Sequence, residues 1–193
     1  WEVREEAGLD AADARYPLVL VLPPRQRDEA RALLARALER VAPGGVLLAC
    51  QSNNEGARSG ESDLQLLAGL GGKLTKNHCR AFWTAPLEGN HDEALRKRWA
   101  ALDAPRAILD GRFHSRPGVF AWDRIDPASA LLVGQLPPDL AGRGADLGAG
   151  WGYLAHHILQ REGVKELHLV AADLAAMDCA RINIADPRAQ FHW

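Results

Sequence analysis

Residues 144–153 read Gly-Ala-Asp-Leu-Gly-Ala-Gly-Trp-Gly-Tyr, and this stretch decides the fold that we predict for the chain. The residues before the glycines predict a short buried strand that ends at Leu147, and regularly spaced apolar residues predict a helix from Tyr153. A strand, a glycine turn and a helix form the ligand-binding corner of a doubly wound α/β domain. Because glycine has no Cβ, such a turn brings backbone N–H groups close to a ligand.

The spacing of the glycines distinguishes two classes of ligand. Dinucleotide sites carry Gly-x-Gly-x-x-Gly, whereas here Gly148, Gly150 and Gly152 alternate and Tyr153 takes the place of the third dinucleotide glycine. Asp146 lies two residues before the first glycine, where its carboxylate would repel a pyrophosphate. A ligand that carries an ammonium and a sulfonium suits this carboxylate, which favours S-adenosyl-L-methionine.

The next predicted strand, residues 166–171, ends close to Asp173. An acid about 20 residues beyond the glycine loop is where the two hydroxyls of a ribose are held. Both ligand classes contain a ribose, so Asp173 does not separate them. An ordinary turn without a ligand is the alternative interpretation of the glycines, but Asp146 and Asp173 together favour a nucleoside cofactor.

The composition is that of a globular protein with one or two domains. The chain has 193 residues, of which 47% are hydrophobic and 25% are charged. The formal net charge is −2, so any RNA-binding surface would have to be local. No apolar run approaches the roughly 20 residues that span a bilayer, and no signal peptide is recognisable. We therefore predict no membrane segment.

The cysteines and histidines predict no metal site. Cys50, Cys79 and Cys179 are far apart, which indicates neither a disulfide framework nor zinc and favours a reducing cytoplasm. His156 and His157 are adjacent on a helix and face different ways, so they make a poor pair of ligands.

The first half of the chain predicts a parallel β-α-β unit followed by mixed elements. A polar loop at residues 51–60 follows the second strand, and a solvated connection is a simpler interpretation of it than a ligand-binding loop. Ser62 and Gln65 have the spacing of a capping box, which predicts a helix start. The predicted elements are a strand at 17–22, helices at 25–41 and 62–70, a strand at 46–50 and one or two strands within 73–84.

The middle of the chain predicts a linker at 86–91 and a helix at 92–102. Arg96, Lys97 and Arg98 stand beside Trp99 on that helix, and such a segment could contact RNA, although a solvated face is the commoner role. The elements predicted beyond it are a hairpin at 107–115 around Asp110-Gly111, a helix at 126–136 with Asp126 as N-cap, a helix at 175–184 and a third strand from 190.

Three groups of residues resemble the small class I methyltransferases, and in particular the bacterial 16S rRNA guanine-N2 methyltransferases. They are residues 117–120 (Pro-Gly-Val-Phe), Asp126 with residues 129–132, and residues 146–152. Residues 53–59, Asn-Asn-Glu-Gly-Ala-Arg-Ser, resemble a loop of the first of that family's two tandem methyltransferase-like domains.

The resemblance implies roles for individual residues. The residues that would surround or close over S-adenosyl-L-methionine are Asp146, Gly148, Ala149, Gly150, Gly152, Asp173, Phe120 and Asp126. The implied partner is ribosomal RNA or the small ribosomal subunit. The family's Asn-Pro-Pro-Phe motif, which receives the guanine amine, does not occur in these 193 residues, because the two Pro-Pro pairs lack the preceding Asn. No catalytic residue is therefore predicted.

The fold class expected is α/β, with two tandem Rossmann-like doubly wound domains that are both incomplete in this chain. We expect the later part of a degenerate domain at 1–86, a linker helix and hairpin at 87–116, and the first half of a cofactor-binding domain at 117–193. Trp1 is an unusual first residue, which suggests sequence upstream. A methyltransferase of proteins or small molecules, a nicotinamide dehydrogenase and a non-catalytic binding module are the alternative functions.

Overall fold

The computed structural model describes residues 14–193, and the beginning of the degenerate domain predicted at 1–86 lies outside them. The fold is mixed α/β. The chain divides into two compact units, one that ends at Asp103 and one that runs from Ala104 to Trp193.

The first unit contains one four-stranded sheet with the strand order β1-β2-β4-β3. Strands β1 and β2 are parallel, as the predicted β-α-β unit requires, whereas β4 is antiparallel to both of its neighbours. In chain order the elements are β1 (Tyr16–Val21), α1 (Arg27–Glu39), β2 (Val41–Ser52), a 3₁₀ turn (Asn53–Glu55), α2 (Ala57–Ala68), β3 (Gly72–Lys76), β4 (Cys79–Trp83) and α3 (Glu93–Ala100).

Helix α3 belongs to the first unit, although it was predicted as part of a linker. Trp99 on α3 is buried in the same apolar cluster as Leu34 of α1 and Phe82 of β4. Asp103, just beyond α3, forms two hydrogen bonds with the Arg36 guanidinium of α1, at 2.8 and 2.9 Å. These contacts require residues from both ends of the unit, which is why the local sequence did not reveal them.

Two local predictions in the first unit are wrong. Helix α2 begins at Ala57 after Gly56, whose φ of +99° turns the chain, so the predicted helix start at Ser62 is a mid-helix position. The Ser62 hydroxyl donates to the carbonyl of Arg58 one turn earlier instead of capping the helix. Residues 43–45, which were predicted to separate a helix from a strand, lie within β2.

The second unit contains the hairpin of β5 and β6 and a parallel sheet with the order β7-β8-β9. Its elements are β5 (Arg106–Ile108), β6 (Phe113–Ser115), α4 (Pro127–Gln135), β7 (Gly142–Leu147), α5 (Tyr153–Leu159), β8 (Val164–Val170), α6 (Leu174–Asn183) and β9 (Ala189–His192). Each of these elements was predicted to within a few residues.

Helices α5 and α6 cover the sheet through a core of small and aliphatic side chains. Ala155 of α5, Met177 and Ala180 of α6, and Leu167 and Leu169 of β8 are almost completely buried. Within residues 14–193, no helix is both long enough and apolar enough to cross a membrane.

Candidate cofactor-binding site

The glycine loop connects β7 to α5 at the carboxyl end of the parallel sheet. Gly148, Gly150 and Gly152 have φ values of +80°, +55° and +92°, in the region that side chains disfavour. The N–H groups of Gly148 and Ala149 both donate to the carbonyl of Val170, at 2.8 and 3.1 Å. The loop is therefore tied to the end of β8.

The three glycines serve two different purposes. A Cβ at Gly148 would meet nothing within 4 Å, and one at Gly150 would meet only the Gly148 carbonyl at 4.0 Å, so the space beside both is open. A Cβ at Gly152 would lie 3.2 Å from Cγ1 of Ile184, the residue that follows α6, and 3.6 Å from Ala180 within that helix. The first two glycines thus leave room beside the loop, and the third lets the loop pack against a helix.

Asp146 is a buried carboxylate with an unused acceptor. The residue is 6% exposed, and its Oδ2 atom is buried without a hydrogen-bond partner. Burial raises the pKa of the Asp146 carboxyl, and the backbone N–H of Ala155 offsets this only in part. Burying an unpaired carboxylate is costly. A ligand cation would give this carboxylate the partner that the protein does not, and S-adenosylmethionine carries such a group.

Asp173 lies at the carboxyl end of β8, the strand next to β7. It is the N-cap of α6, and its Oδ1 accepts a hydrogen bond of 2.9 Å from the N–H of Ala175. The side chain is exposed to solvent. Since Leu147 pairs with Val170 in the parallel register, Asp146, the glycine loop and Asp173 all lie at one edge of the sheet.

The segment that contains Phe120 and Asp126 lies beside the glycine loop. The indole N–H of Trp151 donates to the carbonyl of Ala121 at 3.3 Å, which joins the two segments. Phe120 is 72% exposed and available to cover a ligand. The carboxylate of Asp126 caps α4 by accepting from the N–H and the hydroxyl of Ser129, at 2.8 and 3.1 Å.

Sequence reasoning missed two residues that organise this edge, Trp151 and Asn183. Trp151 is buried, and its ring centroid lies 5.0 Å from that of Phe113 in a tilted arrangement and 5.6 Å from that of Tyr153 edge to face. A large aromatic residue between two glycines was the available signal for Trp151. Asn183 gave no signal, because its partners are 32 and 69 residues away along the chain.

Two residues of the basic segment of α3, Arg96 and Lys97, form ion pairs with acidic neighbours. The Arg96 guanidinium forms ion pairs with Glu39 at 2.8 Å and Glu93 at 2.6 Å. Trp99 is 4% exposed and lies under the guanidinium of Arg31, so its ring is not presented for stacking. These contacts favour the structural role of this helix over the RNA contact that we considered.

Comparison with known proteins agrees with the geometry of this edge. Residues 110–193 match the methyltransferase small domain. The chain is 31% identical to ribosomal RNA small subunit methyltransferase C of Pseudomonas aeruginosa (strain LESB58) over 205 residues. This alignment covers 96% of this chain and 59% of the relative. The chain is 25% identical over 178 residues to the protein of that name from Psychromonas ingrahamii, covering 89% of this chain and 50% of the relative.

A solved structure resembles the chain over almost its entire length. It is the T. thermophilus 16S rRNA N2 G1207 methyltransferase in complex with AdoMet and guanosine, with 26% identity and a TM-score of 0.73. The alignment covers 95% of this chain and 51% of that structure, so the chain spans little more than half the length of the proteins that it matches. These similarities confirm the resemblance inferred from the sequence, and residues 110–193 are similar to the methyltransferase small domain.

Proposed function

We propose that the chain is part of an S-adenosylmethionine-dependent methyltransferase that methylates the exocyclic N2 amine of guanine in 16S rRNA. The observation that carries the proposal is Asp146, a buried carboxylate with an unpaired oxygen at the start of an open glycine loop. The substrate follows from the names of the relatives and from the guanosine in the similar T. thermophilus structure. A cytoplasmic site of action is consistent with such a substrate.

Six of the eight predicted residues would hold the cofactor directly. The Asp146 carboxylate would attract the cationic methionine portion, and the loop at Gly148, Ala149 and Gly150 would contact it through backbone groups. Asp173 would accept from the ribose hydroxyls with the oxygen that does not cap α6. Phe120 would cover the bound ligand with its exposed ring.

The chemistry of the proposed reaction is an in-line methyl transfer. S-adenosylmethionine supplies an electrophilic methyl group with a good leaving group, so positioning accounts for much of the rate. The protein must present an unpaired, unstacked guanine whose amine is oriented by a hydrogen-bond acceptor. That acceptor belongs to the Asn-Pro-Pro-Phe motif of the family, which these 193 residues do not contain.

We further propose that the two units are portions of two tandem Rossmann-like domains, both incomplete in this chain. The first unit has the β-α-β arrangement of β1, α1 and β2 but no glycine loop after either strand. It fits the later part of a degenerate domain, predicted at 1–86, and the cofactor domain, predicted from 117, lies within the second unit. The structural division at Asp103 falls inside the predicted linker, 87–116.

An alternative function is that of a module that binds RNA or another partner without catalysis. Methylation of a protein or small molecule is a further alternative, which an assay that compares naked rRNA with assembled subunits would detect. A nicotinamide dehydrogenase is disfavoured by Asp146 and by Tyr153 at the third glycine position. Cofactor binding would distinguish the dehydrogenase from the methyltransferases at the first step.

The test is calorimetric titration of the protein and its Asp173→Asn variant with S-adenosylmethionine. Asparagine keeps an oxygen that can cap α6, so the variant removes the ribose acceptor with little loss of helix stability. We expect the wild type to bind and the variant to bind about tenfold more weakly, because a hydrogen bond to a charged group contributes about 1.5–3 kcal/mol.

Asp92→Asn is the matched control, because Asp92 caps α3 of the first unit in the same way, with 2.8 Å from the Leu95 N–H to its Oδ1. This variant should bind like the wild type. A wild type that binds NAD in preference to S-adenosylmethionine, or that binds neither, would rule out the proposed function.

A further inference from the structure

Asn183, near the end of α6, makes three hydrogen bonds to the backbone of two other segments. Its Oδ1 accepts from the N–H of His114 at 2.6 Å, and its Nδ2 donates to the carbonyls of His114 at 2.8 Å and Trp151 at 2.7 Å. His114 is the central residue of β6, and Trp151 lies in the glycine loop. Both amide hydrogens and the amide oxygen are therefore in use.

The hydrogen bond from Asn183 to Trp151 holds the peptide group between Trp151 and Gly152, which belongs to the glycine loop, from the neighbouring helix α6. The carbonyl of that peptide accepts from Asn183, and its N–H, which belongs to Gly152, donates to the carbonyl of Ala149 at 3.0 Å. A peptide group is planar and rotates as a unit, so it cannot turn without losing both bonds. The same peptide lies close to the end of α6, since a Cβ on Gly152 would come within 3.2 Å of the Ile184 Cγ1.

The bonds to His114 place the hairpin beside the loop. Strand β6 leads directly into the segment that carries Phe120, and the indole of Trp151 donates to Ala121 in that segment. One side chain on α6 therefore fastens both the glycine loop and the start of the segment that carries Phe120.

We infer that Asn183 is a positioning residue for the cofactor, which acts by holding the glycine loop and the β6 segment in their binding geometry. The inference rests on the proposed function, since it assigns Asn183 a role at the site where S-adenosylmethionine would bind. It differs from a general contribution to stability because the three bonds converge on the two segments of that site.

The experiment compares Asn183→Leu and Asn183→Ser with a control of matched chemistry in the first unit. Gln51 is also a buried amide that donates to two backbone carbonyls, those of Pro24 at 3.1 Å and Glu55 at 2.6 Å. Gln51→Leu should therefore lower the unfolding temperature to a similar extent without changing the glycine loop. The Ser variant keeps a small polar group, which preserves a folded protein if the Leu variant does not fold.

Two quantities are measured for each variant, the affinity for S-adenosylmethionine and the hydrogen–deuterium exchange of residues 148–159 without ligand. For the Asn183 variants we expect about tenfold weaker binding, since the loop loses its preset geometry, and faster exchange confined to this stretch. Gln51→Leu should leave both quantities at the wild-type level.

The two measurements separate failure of this inference from failure of the proposed function. If the wild type binds and the Asn183 variants bind equally well with unchanged exchange, the inference is wrong while the function stands. If the wild type does not bind, the proposed function fails and the positioning role for a cofactor fails with it, whereas faster exchange would still show that Asn183 holds the loop. Weakened binding in Gln51→Leu of the same size would also overturn the inference.

Discussion

Asp146, the carboxylate that we propose binds the cofactor, is placed at the expense of local stability. Its side chain is buried at the end of β7, and one carboxylate oxygen has no partner. The raised pKa means that the folded protein binds a proton at this residue more readily than the unfolded chain does. Folding therefore makes ionisation of this carboxyl less favourable than it is in the unfolded chain, and a bound cation would oppose that effect.

We predict that Asp146→Asn stabilises the ligand-free protein at pH 7 and weakens the binding of S-adenosylmethionine. When folding raises the pKa of a group, that group contributes to the stability of the folded protein. The contribution is fully present below the pKa of the unfolded chain and is lost as the pH rises through the pKa of the folded protein. Because Asn does not ionise, the variant avoids this loss of stability. Its free energy of unfolding should exceed that of the wild type by about 1 kcal/mol at neutral pH and should show no gain below about pH 4. Thermal unfolding at pH 7 and pH 3.5, with calorimetry for binding, measures both effects.

Asp139→Asn, at an exposed position of the same unit, serves as the control and should change neither property. An Asp146→Asn variant that is less stable at pH 7, or that binds the cofactor as tightly as the wild type, would contradict the role assigned to this carboxylate.

At the scale of the elements, the site depends on how closely α6 approaches the glycine loop. Gly152 gives α5 its start, with φ of +92°, and leaves no room for a side chain between the loop and Ile184. Helix α6 supplies Asp173 at its first end and Asn183 at its last, so one helix contributes to the site at both ends. The position of this helix therefore controls the shape of the loop.

We predict opposite effects for two Gly→Ala substitutions in the second unit. Gly152→Ala should destabilise the protein by about 1–3 kcal/mol, because it combines a disfavoured backbone conformation with a steric contact to Ile184. Gly134→Ala should stabilise it by about 0.5–1 kcal/mol, because Gly134 lies inside α4 and a Cβ there meets nothing within 4 Å. Urea unfolding of both variants is the measurement, and shifts in the same direction would contradict the argument.

At the scale of the whole molecule, the two units use related β-α-β arrangements for different purposes. In the first unit the loops after β1 and β2 are joined by the buried amide of Gln51, which bonds to Pro24 and Glu55. In the second unit the corresponding edge carries an open glycine loop and an unpaired carboxylate. In the first arrangement the amide N–H groups of Gln51 join the protein's own loops, and in the second the open space is where we propose that a ligand binds.

We therefore predict that one S-adenosylmethionine binds per chain and that it protects only the second unit. At a ligand concentration of 100 times Kd, binding should stabilise that unit by about 2.7 kcal/mol. Calorimetry gives the stoichiometry, and hydrogen exchange should slow at residues 146–152 and 173–176 but not at 51–60. Two bound molecules per chain, or protection at 51–60, would show that the first unit also holds the cofactor.

The sequence by itself determined the elements of the second unit and the class of ligand that its glycine loop suits. These properties are local: alternating glycines permit the turn, apolar periodicity sets the helices and strands, and Asp126 and Asp173 cap the helices that follow them. The same local reasoning failed at Ser62. The capping pattern occurs there, but helix α2 already begins at Ala57, directly after Gly56.

Only the tertiary structure decided that α3 packs within the first unit, that Asp146 is buried with an unpaired oxygen, and that Asn183 holds the loop. Each depends on contacts between residues that are far apart in the chain, such as Arg36 with Asp103 and Asn183 with His114. The desolvation of a side chain and the pairing of its polar atoms are set by these distant neighbours, so they cannot be inferred from periodicity or spacing alone.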